Sequence, residues 1–316
     1  MADLAPIKFE IPGEVERPRS RGRGTSNTAV PIDRARPDWL KVRLPTGPAY
    51  ENLRRLIRSK ELHTVCEEAH CPNMAECWGA GTATFMILGD TCTRSCGFCA
   101  VTTGRPGAVD SAEPARVGEA VARMGIEHAV VTSVNRDELP DGGAGIFAGT
   151  IREIHRRSPG TTVEVLIPDF QGSADALDVV LDAHPEVLSH NVETVPRLYA
   201  RVRPQARYER SLEVLSRIAA HGDGIVCKTG IMLGLGETKD EVLDTMRDVV
   251  ARGTHVITIG QYLRPSPLHL PIERYWSPDE FRELRDAGMA MGYRHVESGP
   301  LVRSSYHAER HVGLAR

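Results

Sequence analysis

Most of the chain alternates short runs of β-branched and aliphatic residues with longer stretches that are apolar about every three or four positions. That alternation predicts successive βαβ units and a parallel sheet. The apolar runs predict six strands: Thr82–Gly89, Glu127–Ser133, Thr161–Pro168, Pro185–Val192, Gly224–Leu233 and Thr254–Leu263. Amphipathic stretches such as Glu113–Met124, Ser211–Ala220 and Lys239–Ala251 predict helices between them. Crossovers of this kind are right-handed, so six units curl into a partial barrel or spread into an open, doubly wound sheet. Residues 1–47, rich in Pro, Gly and charge, read as an N-terminal extension. Residues 48–81 form a separate segment with a short helix over Pro48–Lys60, and 82–266 carry the six units. In the C-terminal extension, 267–316, Ser277 and Pro278 read as the N-cap and first residue of a last helix.

Both architectures place ligand-binding groups at the carboxyl ends of the strands. Those ends carry Thr132, Ser133 and Asn135, then Asn191 and Glu193, then Lys228 with the Gly234–Glu237 turn "GLGE", then Gln261 and Arg264. Each is also an ordinary turn residue, so only convergence with other chemistry singles them out.

That chemistry comes from cysteine. Six of the seven cysteines lie within residues 66–99, as "CEEAHCPNMAEC" (Cys66, Cys71, Cys77) and "CTRSCGFC" (Cys92, Cys96, Cys99). A chain of 316 residues with 41% hydrophobic content buries a large core without covalent staples. The N-terminal stretch has no signal-like apolar run, and no segment approaches the roughly 18 apolar residues of a membrane span. A reduced, cytoplasmic setting is therefore expected, in which close-set thiols bind metal or do redox chemistry. The formal charge of −3 argues against a nucleic-acid binder, and basic "RPRSRGRGTSN" (Arg17–Asn27) reads as a solvated arm. Zinc wants four tetrahedral ligands, whereas three thiolates suit a four-iron cluster with one iron left open.

The C-x₃-C-x-aromatic-C loop of Cys92, Cys96, Phe98 and Cys99, set after a first strand, resembles the radical S-adenosylmethionine (SAM) superfamily. The resemblance implies a partial (β/α)6 barrel. It also implies a [4Fe–4S] cluster whose open iron is chelated by SAM, and a 5′-deoxyadenosyl radical that abstracts hydrogen from unactivated carbon. With Cys66, Cys71, Cys77, "TSVNRDELPDGGA" (132–144), "MLGLGET" (232–238) and "RSSYHA" (303–308), the chain from about 50 to 308 resembles the lipoyl synthase family. That likeness implies sulfur insertion at C6 and C8 of a protein-bound octanoyl-lysine, at a cost of two SAM per lipoyl group. The upstream cysteines would hold a second, sacrificial [4Fe–4S] cluster, with Ser305, or its neighbour Ser304, on the fourth iron. Thr132, Ser133 and Asn135 would meet the methionine end of SAM, Glu193 the ribose, and Lys228 with Gly234 and Glu237 the carboxylate or adenine surroundings. Implied partners are an octanoylated lipoyl domain of a 2-oxoacid dehydrogenase or a glycine-cleavage H protein, an electron donor, and an iron–sulfur carrier for repair. Neither nucleic acid nor membrane is among them. Cys227, alone on the fifth predicted strand, reads as a small buried hydrophobe. A methylthiotransferase or a biotin-synthase-like enzyme would call for an auxiliary triad of different spacing or a nucleic-acid-binding appendage, and neither is present. A ferredoxin-like carrier ligates every cluster iron, whereas the first triad has no fourth cysteine nearby. Anaerobic iron and sulfide counting separates the cluster reading from a zinc-stabilised module.

Overall fold

Each predicted strand is present, trimmed by one to five residues at its ends. The computed structural model describes residues 37–40, 63–64, 73–79 and 82–314. The expected helix over Pro48–Lys60 lies outside them, as do Cys66 and Cys71. The parallel strands are β1 (Thr82–Ile87), β2 (His128–Ser133), β3 (Thr162–Leu166), β4 (Val187–Ser189), β5 (Val226–Leu233), β6 (Val256–Gln261) and β7 (His295–Gly299). The seventh follows the last helix and extends the sheet beyond the six strands read from the sequence. Its short run His295–Gly299 carries one buried aliphatic, Val296, too little for periodicity to register.

Strand order decides between the two architectures. The seven strands lie side by side in sequence order, each hydrogen-bonded to the next. A doubly wound sheet reverses direction at a switch point; this one never does, so it curls into an incomplete barrel. The helices between strands are α1 (Glu113–Met124), α2 (Ala144–Arg157), α3 (Ala174–Leu181), α4 (Tyr208–His221), α5 (Lys239–Val250) and α6 (Pro278–Met291). Their apolar stripes, such as Phe147, Ile151 and Ile154 of α2, pack onto strand residues such as Val131, Val163 and Val165 in one continuous core. Cys227 is fully buried in it, as its sequence context predicts. Ser277 caps α6 through a reciprocal capping box with Glu280, and Pro278 occupies the first turn.

β1 and β7 do not pair with each other. His63–Thr64 adds two antiparallel residues outside β1. The chain after β7 bridges toward β1: Asn73 Nδ2 donates to the Leu301 carbonyl (2.7 Å), and Thr82 Oγ1 to the Glu309 carboxylate (3.4 Å). Beyond it, Val312 and Leu314 pack on Val187, Val226 and Val256, the first residues of β4, β5 and β6, and close the amino end of the barrel. Among the described residues no helix is long and apolar enough to cross a membrane.

Candidate functional site

The loop after β1 carries Cys92, Cys96 and Cys99, all half-buried. Its entry, Thr91–Cys92, pairs with Thr102–Thr103, and the Gly104 N–H closes onto the Cys92 carbonyl (3.0 Å). Arg94 sits buried inside the loop, with two bonds to Asp137 (2.7 and 2.8 Å) and one to Asp169 (2.6 Å). Arg210 reaches Asp169 from α4 (3.2 Å). Burial opposes the charge of Asp169, yet Arg94 holds its carboxyl down at about 2. A buried guanidinium satisfied by two carboxylates from the ends of β2 and β3 locks the loop over the barrel mouth.

On the other side, Gly97 N–H donates to the Val202 carbonyl (2.9 Å), and Leu270 N–H to the Gly97 carbonyl (3.0 Å). His269 Nε2 lies 3.0 Å from the Cys99 carbonyl, while its Nδ1 meets Ser266 Oγ (2.8 Å). Phe98 packs against the core below. Sequence reasoning missed Arg94, Arg203 and His269. The signal for Arg94 was a charge inside the cysteine loop with acidic "RDE" and "PDF" at two strand ends; nothing local marks His269.

The thiols perturb one another. Burial pushes Cys96 up to about 12, with Cys99, Glu193 and Cys92 adding to the rise and Arg203 opposing it. Cys99 is pushed up to about 11, by burial first and then by Cys92 and Glu193. Cys96 and Cys99, this reluctant to ionise, become thiolates only on a cationic partner, and three soft sulfur donors select an iron–sulfur cluster. The donor set thus fits the cluster the sequence implies. Cys92 Sγ also accepts the Arg94 N–H (3.4 Å) and the Asn135 N–H (3.3 Å), the kind of bonds that tune such clusters.

Around this triad the structure gathers some of the expected residues and sends others away. Ser133 Oγ at the end of β2, Asn135 Oδ1 just past it and Asn191 Oδ1 past β4 are buried without hydrogen-bond partners. Such orphaned oxygens at a strand-end site await a polar ligand. Glu193 has a left-handed backbone (φ 65) and re-pairs with Ile231 after the chain leaves β4, which turns it toward the thiols. Burial pushes its carboxyl up, against Arg203 and an Asn191 amide bond. Thr132 Oγ1 already donates to the Leu166 carbonyl (3.0 Å) and is committed to the sheet.

Lys228 requires correction. It is the third residue of β5, five residues before the strand end, or about 16 Å below it at roughly 3.3 Å per residue. Its ammonium is fully buried against Glu164 (2.8 and 2.9 Å), within the barrel near the closed amino end. Glu237 is likewise structural: its oxygens accept the Gly234 N–H (2.5 Å), the Leu235 N–H (2.9 Å) and the Trp276 indole N–H (2.8 Å). It folds the turn after β5, and both of its oxygens are already engaged there. Gly234 has φ 105, and a Cβ there would collide with Gln261 and the Arg274 carbonyl. Gln261 holds that same turn, accepting the Trp276 N–H (2.9 Å).

Of the upstream cysteines, only Cys77 is described, on the short helix Met74–Gly79. That helix docks on the segment after β7: Tyr306 O–H donates to the Glu76 carboxylate (3.1 Å), and His307 Nε2 lies 3.5 Å from it. Cys77 is close enough to help raise the Tyr306 hydroxyl to about 12, behind burial and Glu76. Half-buried Ser304 and Ser305 occupy the turn between, closed by the Tyr306 N–H on the Arg303 carbonyl (2.9 Å).

Comparison with known proteins agrees with this geometry. Residues 86–249 match the radical SAM superfamily, and residues 26–71 match the N-terminal domain of lipoyl synthase of the radical SAM family. The fold is similar to Streptococcus suis SuiB bound to precursor peptide SuiA (TM-score 0.55, 8% identity, 79% of this chain and 53% of that one). It is also similar to methylornithine synthase (TM-score 0.50, 14% identity, 78% and 77%). In sequence, the chain is 54% identical to lipoyl synthase of Chloroflexus aurantiacus, with full coverage of both chains. It is 59% identical to that of Rubrobacter xylanophilus over 89% of this chain and 88% of the relative. With that identity along nearly its whole length, and a cysteine loop locked over the mouth of an incomplete barrel, the chain belongs to the lipoyl synthase family of radical SAM enzymes.

Proposed function

We propose that the chain inserts sulfur at C6 and C8 of an octanoyl group amide-linked to a lysine of a carrier protein. The carrier is a lipoyl domain of a 2-oxoacid dehydrogenase or a glycine-cleavage H protein. Those carbons have no acidic proton and no leaving group, so acid–base and nucleophilic catalysis have no purchase on them. The superfamily's [4Fe–4S] cluster and SAM, when bound, supply one-electron reduction and hydrogen-atom abstraction. Two hydrogens leave, so two SAM are used per lipoyl group, with an electron donor outside the chain.

Cys92, Cys96 and Cys99 hold the reducing cluster, and Arg94 fixes their loop. Ser133 and Asn135 offer their unpartnered oxygens to the amino acid end of SAM, and Glu193 meets the ribose hydroxyls. Cys66, Cys71, Cys77 and a serine of the 303–308 motif hold a second four-iron cluster that is consumed as the sulfur source, and so is a substrate. The observation that carries this reading is the docking of the Cys77 helix on the turn holding Ser304 and Ser305. Residues more than 225 positions apart in sequence meet there, one group with soft sulfur and the other with hard oxygen. An oxygen among thiolates is the weakest iron ligand of such a set and the natural point of release.

The test is anaerobic turnover of an octanoylated carrier peptide followed by mass spectrometry. The expected product carries two sulfurs in place of two hydrogens, at no more than one lipoyl group per chain without an iron–sulfur carrier. A peptide recovered without sulfur, despite SAM cleavage, would overturn the reading.

A further inference from the structure

Beside the 303–308 motif lies a second set of metal-ligating side chains that the proposed reaction does not use. His295 and Glu297 stand two residues apart on β7, and His311 reaches them from the chain's last turn. One ligand atom from each of the three lies within 4.8 Å of the others. His295 Nε2 is 3.2 Å from Glu297 Oε2, and the His295 and His311 rings are 5.0 Å apart. His311 is fully buried, yet neither of its ring nitrogens has a hydrogen-bond partner. A neutral imidazole always carries one N–H and one bare nitrogen, and leaving both unmatched in the interior costs free energy that a ligand would recover.

Burial drives the His311 imidazole to its neutral form, which is the metal-binding one. The nearby Lys228 ammonium does not count against a cation, since Glu164 neutralises it at 2.8 Å. Two imidazoles and one carboxylate form the protein half of a zinc site that keeps an open position. His307 also neighbours the carboxylate: its Nδ1, buried and without a hydrogen-bond partner, lies 3.5 Å from the same Glu297 oxygen. None of the three is a cysteine or serine of the proposed cluster ligands, so the set draws on different side chains.

We propose that His295, Glu297 and His311 bind one divalent cation of the zinc type. The ion joins β7 to the chain end and so brackets the 303–308 turn from both sides, between ligands at 297 and 311. The binding claim stands whether or not the chain inserts sulfur. Only its consequence, a fixed position for Ser304 and Ser305, rests on the proposed function.

The experiment uses full-length, cluster-loaded protein, with Zn²⁺ alone as the probe and equilibrium dialysis read by elemental analysis. One zinc per chain is expected beyond the cluster iron. Affinity should weaken roughly tenfold or more in His311→Ala and in Glu297→Gln, with iron content unchanged. Glu297→Gln keeps the shape of its side chain and guards against misfolding of the histidine variant. Thermal midpoint should rise with added Zn²⁺ in the parent and not in the variants. No zinc uptake by the parent, or equal uptake by parent and both variants, would refute the site.

Discussion

Replacing Lys228 by Met tests whether the residue belongs to the barrel's interior or to the SAM site. The ammonium makes two bonds to Glu164, with side-chain exposures of 0% and 1%. Without it, the buried carboxylate faces His128, whose Nε2 is 3.9 Å away, and less strongly His311. Removing one partner of such a pair costs about 3–5 kcal/mol, because the remaining charge has lost its solvation and its counterion. At roughly 2–4 °C per kcal/mol this lowers the thermal midpoint by roughly 6–20 °C, toward the lower end for a chain of this length. The sign with pH follows from Glu164. In the parent, burial opposes its charge but Lys228 holds it at about 2, so the pair stabilises above the unfolded carboxylate range and that contribution fades as pH falls toward 2. In the variant the burial remains and the ammonium is gone, so the folded pKa rises above the unfolded value. The deficit is then full at neutral pH and shrinks as acid protonates the carboxyl. Adding Glu164→Leu should recover much of the lost midpoint, since replacing both charges by apolar groups is often neutral. The assay is anaerobic thermal unfolding by circular dichroism at several pH values, paired with 5′-deoxyadenosine formation. The double variant should cleave SAM at close to the parent rate. Recovered stability without SAM cleavage would place Lys228 in the SAM site after all. A midpoint shift no larger than that of a surface substitution would sink the energetic argument.

Gly260→Ala should drive a methyl into the Val302 carbonyl and displace the turn that follows it. Lipoyl formation should fall sharply while 5′-deoxyadenosine formation persists, and equal loss of both would refute the separation. Arg94→Met removes the tie between the cysteine loop and the ends of β2 and β3. It should release iron to a chelator many-fold faster than the parent, and an unchanged release rate would show the loop stands without it. Ser305→Cys should retain iron and lose sulfur transfer because thiolate holds iron more firmly than alkoxide, with Ser304→Cys near parent activity. A reversed result would move the ligand to Ser304, and two active variants would place it outside the motif.

The strands and the three-cysteine loop were legible because each is a local pattern: a run of aliphatics, or thiols at fixed spacing. β7 was not, since four of its five residues are polar, glycine or only partly buried. The strand-end residues divide along a physical line. Ser133 is the last ladder residue of β2, and Asn135 and Glu193 lie beyond the ends of β2 and β4, where side chains face a mouth. Lys228 lies near the start of β5, and its position within the predicted run Gly224–Leu233 already placed it closer to the amino end. Glu237 misled for another reason: an acidic residue in a glycine turn reads as a ligand group, but backbone N–H groups that the turn exposes claim it first. Partners such as Arg94 with Asp169 are 75 residues apart and obey no spacing rule.

Because β1 and β7 do not pair with each other, the molecule has a seam, and the bonds across it come from late contacts. Asn73 with Leu301, Thr82 with Glu309, and Tyr306 with Glu76 join residues 228, 227 and 230 positions apart. Contacts of such separation form only after the intervening chain is ordered, and a few side-chain bonds give way more readily than a seven-strand ladder. The seam therefore closes last during folding and opens first afterwards, and the faster amide exchange expected of residues 300–310 relative to β2–β5 would report it. Opening there bares the Cys77 face and leaves the cysteine loop clamped by Arg94. Under the proposed function, a spent sulfur source would be replaced through that edge while the loop of Cys92, Cys96 and Cys99 stays in place.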